Sequence, residues 1–154
     1  MMGLFNRKKD IEIPNESSYD IEVCLKEALK LASEMRIKLN YTNESVTRLD
    51  ILLLAYYEDA KENPVSIETM QNTARIFGVY LGEVIRRNWL FEYRWTDYNV
   101  SDYQRPVLEK NMDEVTSFII DPTNEVLKRM LNGAVSSTYK YFRDIQNKAI
   151  NHEL

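Results

Sequence analysis

Apolar residues recur at Ile21, Leu25, Ala28, Ala32, Met35 and Leu39, alternately four and three positions apart. That spacing predicts a helix with one buried stripe. Ser17-Ser18-Tyr19-Asp20 supplies its capping signal, with Ser17 facing Asp20 three residues on. A second helix is expected from Asn43, with Val46, Leu49, Leu53, Tyr56 and Ala60 as its stripe. Pro64 closes it, because the residue before a proline is pushed out of the helical region. A third helix opens at Ser66 and runs to about Asn88 on Ile67, Met70, Ala74, Phe77, Leu81 and Val84. A second row on it, Ala74, Gly78 and Gly82, carries small residues four apart. Interior glycines cost a helix about 1 kcal/mol each relative to alanine. A neighbouring helix, strand or ligand packed against the bare backbone is the expected compensation.

Beyond Leu90 the period changes from that of a helix to that of a strand. Phe91 to Thr96 alternates apolar and polar residues, as a half-buried strand does. Pro106 to Glu109 and Val115 to Ile120 are two further strands, and the short links favour antiparallel pairing. Asp121-Pro122 reads as the N-cap and first residue of a helix bearing Val126, Leu127, Met130 and Leu131, stopped by Asn132-Gly133. Ser136 or Ser137 caps a last helix with Tyr139, Phe142, Ile145 and Ile150. The predicted class is α+β: three N-terminal helices, a small antiparallel sheet of about three strands, then two C-terminal helices. Residues 1–16 read as a flexible polar leader and residues 17–154 as a single globular domain.

Composition narrows the chemistry more than it names it. The chain has 154 residues and a net charge of −4, with a single cysteine, Cys24, and a single histidine, His152. One cysteine leaves no disulfide framework and no cysteine-rich zinc site, and one histidine removes most zinc enzymes and histidine triads. Cys24 beside the first stripe reads as a small buried hydrophobe. The longest apolar run, Ile51 to Tyr57, is too short for a membrane span. The basic start, Met1 to Lys9, lacks the apolar stretch of a signal peptide, so a cytoplasmic protein is expected. The acidic excess disfavours a general nucleic-acid binder. No phosphate loop, dinucleotide fingerprint, nucleophile elbow or H-E-x-x-H motif occurs. No cofactor or metal is expected, and the reading leans away from an enzyme. Asp50 is placed on the polar side of its helix, beside Arg48.

The densest segment joins the third helix to the first strand. Tyr80, Glu83 and Arg87 share a helical face, and Glu83 precedes Arg87 by four, the favourable order for an ion pair. Arg86 and Arg87 lie in the last turn, where the helix dipole favours positive charge. One reading is a capped helix end with a surface pair. The other makes Glu83, Arg86 and Arg87 polar groups of a pocket walled by Trp89, Tyr93 and Trp95. Tyr80, Glu83, Arg86, Arg87, Trp89, Tyr93 and Trp95 are thus the candidate binding surface.

Gly78-Val79-Tyr80-Leu81-Gly82-Glu83-Val84-Ile85-Arg86-Arg87, followed by Trp89 and Trp95, resembles a pattern in small uncharacterised bacterial proteins. The pattern is a G-x-Y-x-G-E-x-x-R helix followed by a tryptophan-bearing strand. The likeness spans about residues 40–145 and departs at Asn88-Trp89-Leu90, where such proteins tend to place glycines. It implies a stand-alone cytosolic domain of a group suspected of immunity or accessory roles beside secreted toxins. It carries over no residue-level activity.

Three functions are therefore in play. The first is a non-enzymatic protein-binding domain, a candidate immunity or accessory protein of a toxin system. It draws on the absence of catalytic motifs and on ten tyrosines, more than a core of this size needs. The second is a small-ligand-binding protein or enzyme with a pocket around Glu83, Arg86 and Arg87. The third is a self-associating module, a homo-oligomer whose small-residue row packs on a second subunit.

Overall fold

Each helix starts where a side chain accepts a hydrogen bond from the first turn, which satisfies an amide that the helix itself cannot. A computed structural model describes residues 12–99, 102–113 and 117–154. In it α1 spans Ile21–Glu34, capped by Asp20, and α2 spans Asn43–Glu62, capped by Thr42. Helix α3 spans Ile67–Asn88, capped by Ser66. Strands β1 (Arg94–Tyr98), β2 (Arg105–Asn111) and β3 (Ser117–Ile120) follow, then α4 (Pro122–Asn132), capped by Asp121. A single 3-10 turn, Gly133–Val135, leads to α5 (Thr138–Ile150), capped by Ser137. The fold is α+β, with three helices, a three-stranded antiparallel sheet in the order β1-β2-β3, and two helices.

Helix α3 is the centre of the molecule. It packs on α1, α2, α4, α5 and β2, and every residue from Phe77 to Arg86 is buried. The cross-strand row Trp95, Leu108 and Ile120, one residue from each strand, is buried as well. The small-residue row of α3 faces elements of its own chain. A Cβ at Gly78 would overlap the main chain and methyl of Thr123, and one at Gly82 would overlap the Trp95 ring. The row is thus packed within its own chain, on α4 and on Trp95 of β1.

Several boundaries differ from the sequence reading, each for a local reason. Ser17 does not cap α1: its hydroxyl bonds the Asp97 carboxylate, and Asp20 accepts from the Val23 amide at 3.1 Å. The helix stops at Glu34 rather than Leu39, because Arg36 takes a left-handed conformation (φ 60°). The Ile37 amide then closes back on the Ala32 carbonyl at 2.9 Å. Glycine usually marks such a stop, so arginine there gives no signal. Thr42, not Asn43, caps α2. Strand β1 begins at Arg94, not Phe91, because the Tyr93 amide turns back to the Leu90 carbonyl. Residues 12–16 are not a free leader: the Trp95 amide donates to Pro14 and the Glu16 amide donates to Trp95, both at 2.9 Å. The basic stretch Met1 to Lys9 lies outside the described residues. No helix among the described residues is long and apolar enough to cross a membrane.

Candidate functional site

The last turn of α3 places Glu83, Arg86 and Arg87 on one side, three and four positions apart, as the helical period requires. Tertiary structure then encloses the carboxylate completely: the Glu83 side chain is 0% exposed. Four N–H groups donate to it. Arg86 supplies Nε at 2.6 Å and Nη2 at 3.2 Å, Arg87 supplies Nε at 2.8 Å, and the Trp95 indole supplies Nε1 at 2.9 Å. Burial works against the charged form, but these hydrogen bonds and the Arg86 charge outweigh it and hold the Glu83 pKa below its ordinary value. A sequestered carboxylate with this many donors has no role as a general base. It joins α3 to β1 and fixes the two guanidinium groups.

Arg87 is the member of this group that reaches solvent, with its side chain 32% exposed. Its guanidinium lies over the Tyr41 ring, 4.0 Å from the centroid, in cation–π geometry. Tyr41 has a left-handed backbone (φ 63°), which a bulky residue adopts only when its surroundings over-determine it. The restraint comes from Tyr80: its buried hydroxyl accepts from the Tyr41 amide at 2.8 Å and pairs with Ser45 Oγ at 2.6 Å. The Tyr41 and Tyr80 rings also pack with centroids 5.1 Å apart. Burial pushes the pKa of both phenols up.

Tyr41 and Arg87 form one wall of a groove of about 460 Å³. Leu25 and Leu29 of α1 and Ile13 line it with apolar surface, while Glu22 and Lys26 stand on the α1 side. This volume and lining, largely apolar with a few charged groups, fall within the usual range for small-molecule sites.

The residues expected to form an aromatic binding surface are mostly interior. Tyr80, Glu83, Arg86, Tyr93 and Trp95 are buried, so only Arg87 and Trp89 face outward to any extent. The half-buried Trp89 packs against Phe142 with the rings tilted by 59° and centroids 4.8 Å apart. Tyr93, just before β1, is buried, its hydroxyl has no hydrogen-bond partner among the described residues, and burial raises its pKa. Cys24 is half-buried, and burial likewise raises its thiol pKa. The structure thus brings Tyr80, Glu83, Arg86, Arg87 and Trp95 together and places Trp89 and Tyr93 on a different side, beside Lys110 and His152.

Two further polar clusters escaped the sequence reading. Asp50, expected on a solvated helix face, forms an ion pair with Arg129 Nε at 3.2 Å, and its carboxylate accepts from the Thr138 amide at 2.9 Å and from Ser137 Oγ at 3.1 Å, while Arg129 Nη2 donates to its main-chain carbonyl at 3.2 Å. Arg105 bonds Asp121 through Nε at 2.9 Å and Nη2 at 2.6 Å, with the Tyr98 and Tyr103 rings against it. These pairs cross 79 and 16 residues of chain, so no local spacing announces them. Tyr41 gave no signal either, because nothing in its neighbours specifies a left-handed backbone. Among the described residues no cluster of three His, Cys, Asp or Glu side chains could hold a metal ion.

The fold and site define an α+β domain in which a buried carboxylate orients an exposed arginine at the edge of an apolar groove. Comparison of the chain with protein-family models, curated proteins and solved structures finds no match.

Proposed function

We propose that the protein is a small-ligand-binding domain whose site is the groove between α1 and the Tyr41–Arg87 wall. The observation that carries this reading is Arg87: it lines the groove with its side chain 32% exposed and is held by a wholly buried glutamate. The close approach of Trp95 at Gly82, a strained tyrosine backbone and a desolvated carboxylate all bear on fixing that side chain. A helix end needing only a surface ion pair would require none of them. Glu83 and Arg86 act as positioning residues beneath the site and do not touch the ligand.

A neutral solvatochromic dye such as Nile red tests the reading. Saturable fluorescence enhancement that disappears in Leu29→Glu and survives in Ile51→Glu is the expected result. Equal enhancement in both variants would remove the groove as the site.

A protein partner is favoured by one separate observation. Phe91 is 69% exposed, and the Glu92–Lys110 ion pair at 3.0 Å holds its turn beside the end of β2, from which Met112, 51% exposed, follows. The immunity or accessory role implied by the bacterial resemblance belongs with this reading. A protein encoded beside this chain that binds it, and loses affinity for Phe91→Ser/Met112→Ser, would carry it. Retained affinity in that variant would place the contact elsewhere.

A further inference from the structure

Resting on the ligand-binding reading, we infer that the groove takes a small amphiphilic monocarboxylate, its apolar body along Leu25 and Leu29 and its carboxylate on Arg87. The charge arithmetic of the buried cluster points this way. One carboxylate, Glu83, is shared by two guanidinium groups, Arg86 and Arg87, so the trio keeps a net charge of +1. Arg86 is buried and spends both bonding nitrogens on Glu83, which leaves Arg87 to present that charge to the groove.

Arg87 is also oriented as carboxylate recognition requires. Nε is committed to Glu83 and the guanidinium carbon sits 4.0 Å from the Tyr41 ring centroid, so the group is held in place before any ligand arrives. A planar fork matches the two oxygens of a carboxylate, and an arginine already immobilised loses little entropy on binding. The opposite side of the groove carries one cation, Lys26, and one anion, Glu22. With Glu22 there, a monoanion fits the local charge better than a phosphate dianion. The groove's volume of about 460 Å³ leaves room for an alkyl chain of medium length.

The test is titration of the full, isotope-labelled chain with octanoate, 1-octanol and octylamine, followed by amide chemical shifts. Octanoate should shift the amides of residues 22–29, Tyr41 and Arg87 saturably, and about tenfold more tightly than octanol, the worth of one charge-assisted contact. Octylamine should bind no better than octanol. Arg87→Gln should bring octanoate down to the affinity of octanol, while Arg87→Lys, which keeps the charge and loses the fork, should fall between. If Arg87→Gln does not fold, the comparison of Arg87→Lys with the parent decides instead. Octanoate and octanol binding alike, or a variant at Arg87 leaving octanoate unaffected, would overturn the carboxylate assignment and keep the groove as the site. No perturbation by any probe up to its solubility limit would overturn both. Groove shifts that depend on protein concentration alone would give the groove to a second copy of the chain and overturn the proposal.

Discussion

Glu83 and Asp50 are both acidic residues on core helices bonded to arginine, yet they solve different problems. Glu83 is fully enclosed, and three of its four donors come from its own helix, three and four residues on. Asp50 keeps 15% of its side chain exposed, and its donors come from α4 and from the start of α5, 79 to 88 residues away. The first arrangement is preassembled by helix formation and then covered by β1, which adds the indole N–H. The second cannot exist until three helices have docked. Local pairing made the Glu83 cluster visible in the sequence but concealed its burial, and long-range pairing concealed the Asp50 cluster altogether.

Breaking the two clusters should give unequal losses. Glu83→Gln leaves the buried Arg86 and the partly exposed Arg87 without their shared charge, and about 3–5 kcal/mol of stability should go. For a chain of this size that lowers Tm by about 10 °C, readable by calorimetry. A loss no larger than that of an exposed substitution would mean that the carboxylate is hydrated. Gly78→Ala should cost about 1–3 kcal/mol by overpacking, since the new methyl meets the main chain of Thr123, which has little room to yield. A neutral or stabilising result in denaturant melts would show that α3 and α4 are less closely seated.

Asp50→Asn should come next, at about 1–3 kcal/mol, because the amide still accepts hydrogen bonds but no longer balances Arg129. A double-mutant cycle with Arg129→Met should show coupling, whereas a cycle between Asp50 and Glu83 should be additive. The Glu83 cluster also carries a pH dependence. The folded pKa of Glu83 lies below the ordinary 4.5, so the unfolded chain binds its proton first as pH falls. The stabilisation is complete above that unfolded value and is lost as pH drops through the folded one. Acid unfolding of Glu83→Gln should accordingly be shallower than that of the parent, and an unchanged acid limb would refute the shift. The smallest effect belongs to the exposed Lys61–Glu58 pair, where Lys61→Met should leave Tm unchanged within error.

Much of the architecture was legible because it depends on period and punctuation. Ser66 and Asn88 bound α3 as read, and Asp121-Pro122 and Gly133 delimit α4. Gly133 sits at φ 63° with the Tyr57 ring where a Cβ would stand, so its signal as a stop had a real steric cause. The row of Gly78 and Gly82 correctly announced close packing, with α4 and Trp95 as the neighbours. Elsewhere the rules were satisfied by residues that do not advertise them. Arg36 and Tyr41 hold left-handed backbones that glycine or asparagine would ordinarily mark. Pro14 to Glu16 pair with β1 through backbone groups, which carry no side-chain signature.

The candidate site divides along the same line. Helical spacing alone brought Tyr80, Glu83, Arg86 and Arg87 to one side of α3, because residues three and four apart must neighbour one another. Whether that side met water or protein was decided by β1, α1 and the Tyr41 turn arriving from distant parts of the chain. Their arrival turned an expected aromatic surface into core, left Arg87 as the exposed member, and made the groove beside it. The sequence by itself determined which residues could be neighbours along each element, since that follows from 3.6 residues per turn and alternation along a strand. Only the tertiary structure decided which of them lost their water. Burial is a property of what packs on a face, and a face does not encode its partner.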